Sequence, residues 1–324
     1  MKYIQHQRLQ VVYAIIMIKT ILVTGGTGFV GKGLVKLLLK KGYHINLLVR
    51  LEPEGMKNPN LRTFIWDVYK GEIDQGCIEN VDAIIHLAGE EIAAKRWTDE
   101  RKIQIVESRT KSIRMIYDLL RKTKNQVNHI ISASAVGYYG DRGNELLTEE
   151  SLPSKDFLAE TCIAWEEAVD EGHKLGLRVV KLRIGIILDK NGGVLPQMDK
   201  PIRFNLGIIP GSGDQWVSWI HYQDTLNAYL FALENKSLKG VYNMVAPGAV
   251  TLEEMMRRIA NALDKSPLFV HTPKFVLKVA IGEMSLMALE STKVSANKLS
   301  ESGFTFKYAL LDEAMADIYK KGSA

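Results

Sequence analysis

The sequence predicts an α/β protein built on a doubly wound parallel sheet, with a smaller C-terminal lobe on its substrate side. Six short β-rich apolar runs alternate with stretches of helical apolar spacing. A glycine turn, Thr24-Gly25-Gly26-Thr27-Gly28-Phe29-Val30-Gly31, lies between the first such run and the first helical stretch. At 324 residues the chain is long enough to bury a large core.

Each element has its own signal. Ile18-Lys19-Thr20-Ile21-Leu22-Val23 reads as the first strand, and Lys32 to Lys41 has helical spacing with Gly42 placed as its C-cap. His44–Arg50, Leu61–Asp67 and Val81–Gly89 read as strands two to four. A long helix is expected from about Asp99 to Thr123 with Thr98 as N-cap, then a fifth strand over Val127–Val136. A second long helix, about Lys155 to Leu175, carries Phe157, Leu158, Thr161, Cys162, Trp165, Ala168 and Val169 on its inner stripe, with Gly176 after it. Leu177–Arg183 is the sixth strand.

From Asn191 the pattern changes. Glycines and prolines crowd residues 192–213, which predicts a long irregular segment of the kind that forms a substrate loop. A helix over about Gln223–Glu234, a short strand over Val241–Val245 and a helix from Thr251 follow, Thr251 and Glu254 fitting a capping box. Residues 265–324 read as mixed and mostly helical. No repeat or low-complexity linker divides the chain. We expect a nucleotide-binding domain over 17–190 and a lobe over 191–324 packed on it, with 1–16 an extension and Met17 the natural start.

Composition narrows the function. Hydrophobic content of 46% and charged content of 24% are ordinary for a globular protein. The net charge of +5 is scattered, with no basic tract interleaved with aromatics, which argues against nucleic acid. No apolar run is long enough to cross a bilayer, so no membrane role is expected. Cys77 and Cys162 make neither a disulfide framework nor a zinc spacing, and the seven histidines never fall at ligand spacing. A reducing, cytoplasmic setting and no metal are the expectations.

The glycine turn carries the chemistry. Gly25 allows the tight turn, Gly28 lets backbone N–H groups approach a pyrophosphate, and Gly31 permits close packing of helix on strand. An acidic residue closing the second strand would favour NAD. Arg50 stands there instead, about 20 residues past the fingerprint, where a cation suits a 2′-phosphate. NADP is therefore expected over NAD, with Lys32 assisting or facing solvent. The competing reading of Arg50 is a solvated strand-end arginine.

With these residues in place, the chain resembles the extended short-chain dehydrogenase/reductases of the NAD(P)-dependent epimerase/dehydratase type, a family with a Rossmann-type sheet. The matching features are TGGTGFVG (24–31), Asp67 after the third strand, HLAG (86–89) and the serine-bearing fifth strand. More narrowly it is similar to the SDR39U-like "epimerase family" subgroup, some of whose members carry a cell-division-inhibitor label. AGEEIAAKRWT (88–98), SR (108–109), SASAVGYYG (132–140), DFLAETCIAWE (156–166), GSGDQWVSWIH (211–221) and VAPGAVT (245–251) carry that match. The resemblance implies cofactor contacts from Thr24, Gly25, Thr27, Gly28, Phe29, Val30, Gly31, Leu87, Ala88 and Gly89. It also places Asp67 near the adenine, the alternative being a loop cap.

Active relatives use a serine or threonine with Tyr-x-x-x-Lys on one helical face, where the ammonium stabilises the phenolate. Ser134 matches the serine, but Leu158 and Cys162 occupy the tyrosine and lysine positions, and Ser108 replaces an asparagine. Two substitutes are open. Tyr138 or Tyr139 could supply a hydroxyl with Arg142 or Lys95, or Glu90 or Glu91 could act as a base. Cys162 lies on the apolar stripe with no histidine placed to activate it. Arg96 and Arg109 could hold phosphate or an anionic substrate, or pair with Glu90, Glu91 or Glu107, and Glu90, Arg183 and Trp216 complete the candidate substrate set. His221 reads as structural, and tryptophans are more often packing.

Two functions are expected from this pattern. One is an NADP-dependent oxidoreductase or epimerase with a non-standard acid/base set, acting on a small anionic or sugar-like molecule. The other is a catalytically silent NADP(H)-binding regulator, linked to cell division. A homodimer and a monomer are both open.

Overall fold

The structure, a computed structural model, describes residues 19–53 and 55–320. The extension 1–16 and the start at Met17 lie outside the described residues. Eight strands form the central sheet: β1 (Thr20–Thr24), β2 (His44–Val49), β3 (Leu61–Asp67), β4 (Glu72–Ile73), β5 (Ala83–His86), β6 (His129–Ala135), β7 (Arg178–Ile184) and, from later in the chain, Gly240–Met244. Their spatial order is 240–244, β7, β6, β5, β1, β2, β3, β4. All pair in parallel except β4, an antiparallel edge strand. The order reverses between β1 and β5, the position at which open α/β sheets bind ligands.

The expected six strands are all present, and their apolar runs are buried except in β3, toward the sheet edge, where burial alternates and Ile65 is 49% exposed. Helix α1 (Phe29–Lys40) ends before Gly42, which takes φ +89° as predicted for a C-terminal glycine. Helix α2 (Asp99–Lys122) starts at Thr98, whose hydroxyl accepts from the Arg101 N–H at 3.2 Å. Helix α3 (Phe157–Asp170) is shorter than the expected 155–175. Its last turn tightens into a 3₁₀ segment over Glu171–Leu175, closed by left-handed Gly176.

The segment expected to be irregular is not. After strand β8 (Ile186–Asp189) it holds helix α4 (Leu195–Arg203) and strand β9 (Leu206–Pro210). Pro196 sits in the first turn of α4, where no intrahelical N–H is needed, so a helix fits a proline-marked stretch. Leu195 and Ile202 of this helix enter a second core with Trp219, Met255, Met256 and Ile259.

The chain then returns to the main sheet. Strand β10 (Trp219–His221) and helix α5 (Tyr222–Glu234) lead to β11, as we label Gly240–Met244, which pairs with β7. The boundary expected at 190/191 is therefore crossed in space, because β7 would otherwise be an open sheet edge. Helix α6 (Leu252–Ala262) is capped by Thr251, while Glu254 pairs with Arg258 instead of completing the box. Strand β12 (Leu268–Thr272) pairs in parallel with β9, and helices α7 (Lys274–Ile281) and α8 (Leu311–Ile318) belong to the same lobe. Among the described residues, no helix is long and apolar enough to cross a membrane.

Candidate cofactor and active site

Beyond β1 the backbone is shaped by close approach. The buried Thr24 hydroxyl accepts from the N–H groups of Leu87 (3.2 Å) and Ala88 (3.1 Å) and bonds His86 Nδ1 at 2.9 Å. The 87–89 stretch is thus clipped against the glycine turn. Gly25 takes φ +67°, and a Cβ there would lie 2.7 Å from the Leu87 carbonyl. A Cβ on Gly31 would lie 2.1 Å from the Gly25 oxygen, so the helix can seat on the turn only with glycine.

Helix α1 opens at Gly28 without a side-chain cap and without an acid in its first turn. Helices α2, α3 and α6 have both, through Thr98, Asp156 and Thr251 and the acids that follow them. The first N–H groups of α1 therefore have no intrahelical or side-chain acceptor, and the dipole is uncompensated. A Cβ on Gly28 would meet only the Gly25 oxygen, at 3.2 Å, so the outer side of the turn is open. This cradle fits a pyrophosphate held by Thr27, Gly28, Phe29 and Val30. Phe29 contributes backbone alone. Its ring stacks on Tyr222 at 4.9 Å and fills the space beside Gly192.

The flanks of the turn are charged. Arg50, just past β2, is 78% exposed and pairs with Glu90 Oε1 at 3.2 Å. Glu90 Oε2 meets buried Arg101 at 3.0 Å, and this hydrogen bond, against some burial, holds the carboxyl below the usual range. Glu90 is therefore an ion-pair partner and not a poised base. Asp67 Oδ1 accepts from the N–H groups of Tyr69 and Lys70, the geometry of a loop cap. Arg96 is exposed and lies against Gly282 in the C-terminal lobe.

Arg109 is buried directly beneath Gly89, whose Cβ would lie 3.0 Å from its guanidinium carbon. It donates to Ile105 O and Glu90 O and sits over the Trp165 ring at 5.0 Å. It makes no carboxylate pair among the described residues, and burial draws it down to about 10. Arg109 Nε, Arg101 Nε and Trp165 Nε1 are buried donors without acceptors. Groups of this kind call for an acceptor-rich ligand.

The end of β6 is built differently. Ser134 is 2% exposed, and its hydroxyl donates to Glu166 Oε1 at 2.7 Å. Arg183 forks the same carboxylate at 2.8 and 3.0 Å, and Lys181 reaches it at 3.6 Å while bonding Asp170 at 2.6 Å. Tyr139 is fully buried. It accepts from Arg183 and donates to Asn243 at 2.6 Å, and burial pushes it up to about 12. Tyr138 lies under the Arg183 guanidinium, 3.4 Å from ring centroid to carbon. Arg142 pairs with Glu145 and not with either tyrosine.

Ser134, Tyr139 and Arg183 are thus brought together, but into one buried ionic network. Glu166 and Lys181, which the sequence reading left without a role, are its centre. A glutamate on an apolar helical stripe and a lysine in an apolar strand were the available signals, since such charges are buried only when paired. Trp216 donates to Asn144 and is covered by Lys293, which makes it part of the lobe wall. His221 caps α5 and stacks near Tyr308, so its structural reading stands.

Leu158, in the tyrosine position, packs with Trp97 and Ile105, and with Ile92, Phe157 and Met284 at the margin. Cys162 is buried with its thiol pushed up to about 12 by burial, which removes it as a nucleophile.

The sequence model of the NAD dependent epimerase/dehydratase family matches residues 21–244. The chain belongs to that family. The match ends at the last residue of β11, and a domain of unknown function, DUF1731, matches residues 272–318 of the lobe. "Epimerase family protein YfhF" of Bacillus subtilis is 34% identical over 299 residues, covering 92% of this chain and 97% of that protein. The chloroplastic "Epimerase family protein SDR39U1 homolog" of Arabidopsis thaliana is 36% identical over 302 residues, covering 92% and 86%. Among solved structures, human epimerase family protein SDR39U1 with NADPH aligns at TM-score 0.80 and 28% identity, covering 93% of this chain and 99% of that one. The narrower resemblance to the epimerase-family subgroup is therefore met in both sequence and structure.

Proposed function

We propose that this family member binds NADP(H) and is an oxidoreductase or epimerase acting on a small, anionic or sugar-like molecule. The observation that carries the reading is the uncapped, acid-free start of α1 over an open glycine turn. Arg50 at the end of β2 supports NADP over NAD, and the human relative solved with NADPH agrees with that preference. The bound nicotinamide would supply or accept hydride. Arg109, with its unpaired charge beneath Gly89, supports an anionic group on the substrate.

The acid/base set is not serine, tyrosine and lysine. Ser134 braces Glu166, and an apolar cluster fills the tyrosine position. The same two observations favour a second reading, a nucleotide-occupied regulator without turnover.

Fluorescence titration of nucleotide-stripped protein with NADPH and NADH tests the first reading. NADPH should bind about tenfold tighter, and Arg50→Ala should erase the preference. Absence of binding by both nucleotides overturns it. Stereospecific hydride exchange from NADPH to any of a panel of oxo-acids and nucleotide sugars removes the regulator reading. NADPH binding without exchange supports it.

A further inference from the structure

The strand order β5-β1-β2 puts Arg50 and Glu90 on opposite sides of β1, and their ion pair spans the C-terminal end of β1, where the glycine turn begins. The two ends are held very unequally. The Glu90 carboxylate is fixed by Arg101, its N–H donates to Ser108 Oγ at 2.9 Å, and its carbonyl accepts from Arg109 at 3.1 Å. Arg101 is anchored in turn on the Glu91 carbonyl at 2.7 Å, with its side chain 9% exposed. Among the described residues Arg50 makes no other hydrogen bond or ion pair, and its side chain is mostly in solvent. One end is a post, the other a free arm.

We propose that Glu90 is a selectivity residue that opposes NADP by holding Arg50 and by presenting a fixed negative charge beside the 2′-phosphate position. This rests on the cofactor reading above. A 2′-phosphate draws Arg50 away from Glu90, and Glu90 stays behind because three buried residues hold it. The phosphate therefore displaces one anion from its cation and remains near that anion afterwards. A cofactor with a free 2′-hydroxyl meets neither obstacle. Glu90 lowers the NADP preference that Arg50 confers, and leaves NAD binding alone.

The experiment compares NADPH and NADH affinities in wild type and Glu90→Gln, with melting curves to confirm folding. The glutamine carbonyl can still accept from Arg101. NADPH should tighten by about three- to tenfold, with NADH unchanged within about twofold, the range set by partly exposed charge pairs. Raising the salt should shrink the difference. In an Arg50→Gln background the gain from Glu90→Gln should fall, since only the repulsion remains. Equal changes for both nucleotides, or none, overturn the proposal. So does weaker NADH binding, which would mean that Glu90 accepts from the ribose hydroxyl. Wild type that binds neither nucleotide removes the cofactor reading and this one with it, whereas wild type that prefers NADPH with an inert Glu90→Gln removes only this one.

Discussion

The ends of β1 and β6 lie on the same side of the sheet, at the C-terminal ends of its parallel strands, separated only by β5, and they are built on opposite principles. At β1 the backbone does the work: a left-handed glycine, a close approach at Gly31 and a row of free N–H groups. At β6 side chains do it, with a serine, a tyrosine, two cations and two carboxylates closed into a buried network. The first is open and has unmet hydrogen-bonding capacity. The second is closed and has little. A backbone site leaves a motif, because geometry restricts which residues fit. A side-chain site can keep its serine and change its purpose, because the partners decide what the hydroxyl does.

That contrast can be broken at several points. A large effect is expected from Glu166→Ala, which strands Arg183 in the interior and leaves Lys181 only its Asp170 pair. Urea unfolding should register a loss of about 3–5 kcal/mol, the usual result of removing one partner from a buried ion pair. A variant that loses under about 1 kcal/mol would show that the network is solvated. Gly31→Ala comes next. The 2.1 Å approach to the Gly25 oxygen has no flexible partner to yield, so about 1–3 kcal/mol of stability and most nucleotide binding should go together. Unchanged NADPH affinity would detach the turn from the cofactor.

Ser134→Ala sharpens the comparison from the other side. Glu166 keeps Arg183 and Lys181, so the variant should lose about 1 kcal/mol in urea unfolding and bind NADPH within about twofold of wild type. A larger fall in affinity would place Ser134 at the cofactor.

A pH-dependent effect concerns Glu290, half-buried in the C-terminal lobe near the start of α3. Burial first, then Asp156 and Asp141, push its carboxyl up to about 8 from the ordinary 4.5. The folded state therefore holds a proton that the unfolded chain has released, and stability falls as pH rises from about 5 through 8. Glu290→Gln should flatten that slope. Melting temperatures of variant and wild type should diverge with rising pH, and parallel curves would place the carboxyl in solvent.

Particular residues show how far the sequence could be read. Strands β1, β2, β5, β6 and β7 were legible because parallel strands buried on both faces are continuous apolar runs, and β3 by its β-rich residues, whereas the two-residue antiparallel edge strand β4 was not read. The Thr98 cap and Gly42 were legible because each is a local backbone requirement. Helix α4 was missed because Pro196 reads as a breaker unless the helix start is known. The return of 240–244 to the sheet is a long-range pairing, and nothing in its five residues specifies which edge it joins.

By itself, the sequence determined the doubly wound sheet and the tight glycine turn, set by periodicity and by steric limits on a few adjacent residues, and its motifs carried the resemblance to the family. Only the tertiary structure decided what Ser134, Tyr139, Arg183, Glu90 and Arg109 do. Their neighbours come from β6, α3, β7, β11 and α2, and a polar side chain's role is fixed by which charge or hydrogen-bond partner reaches it first. That is a property of strand order and helix packing, which a linear pattern does not carry.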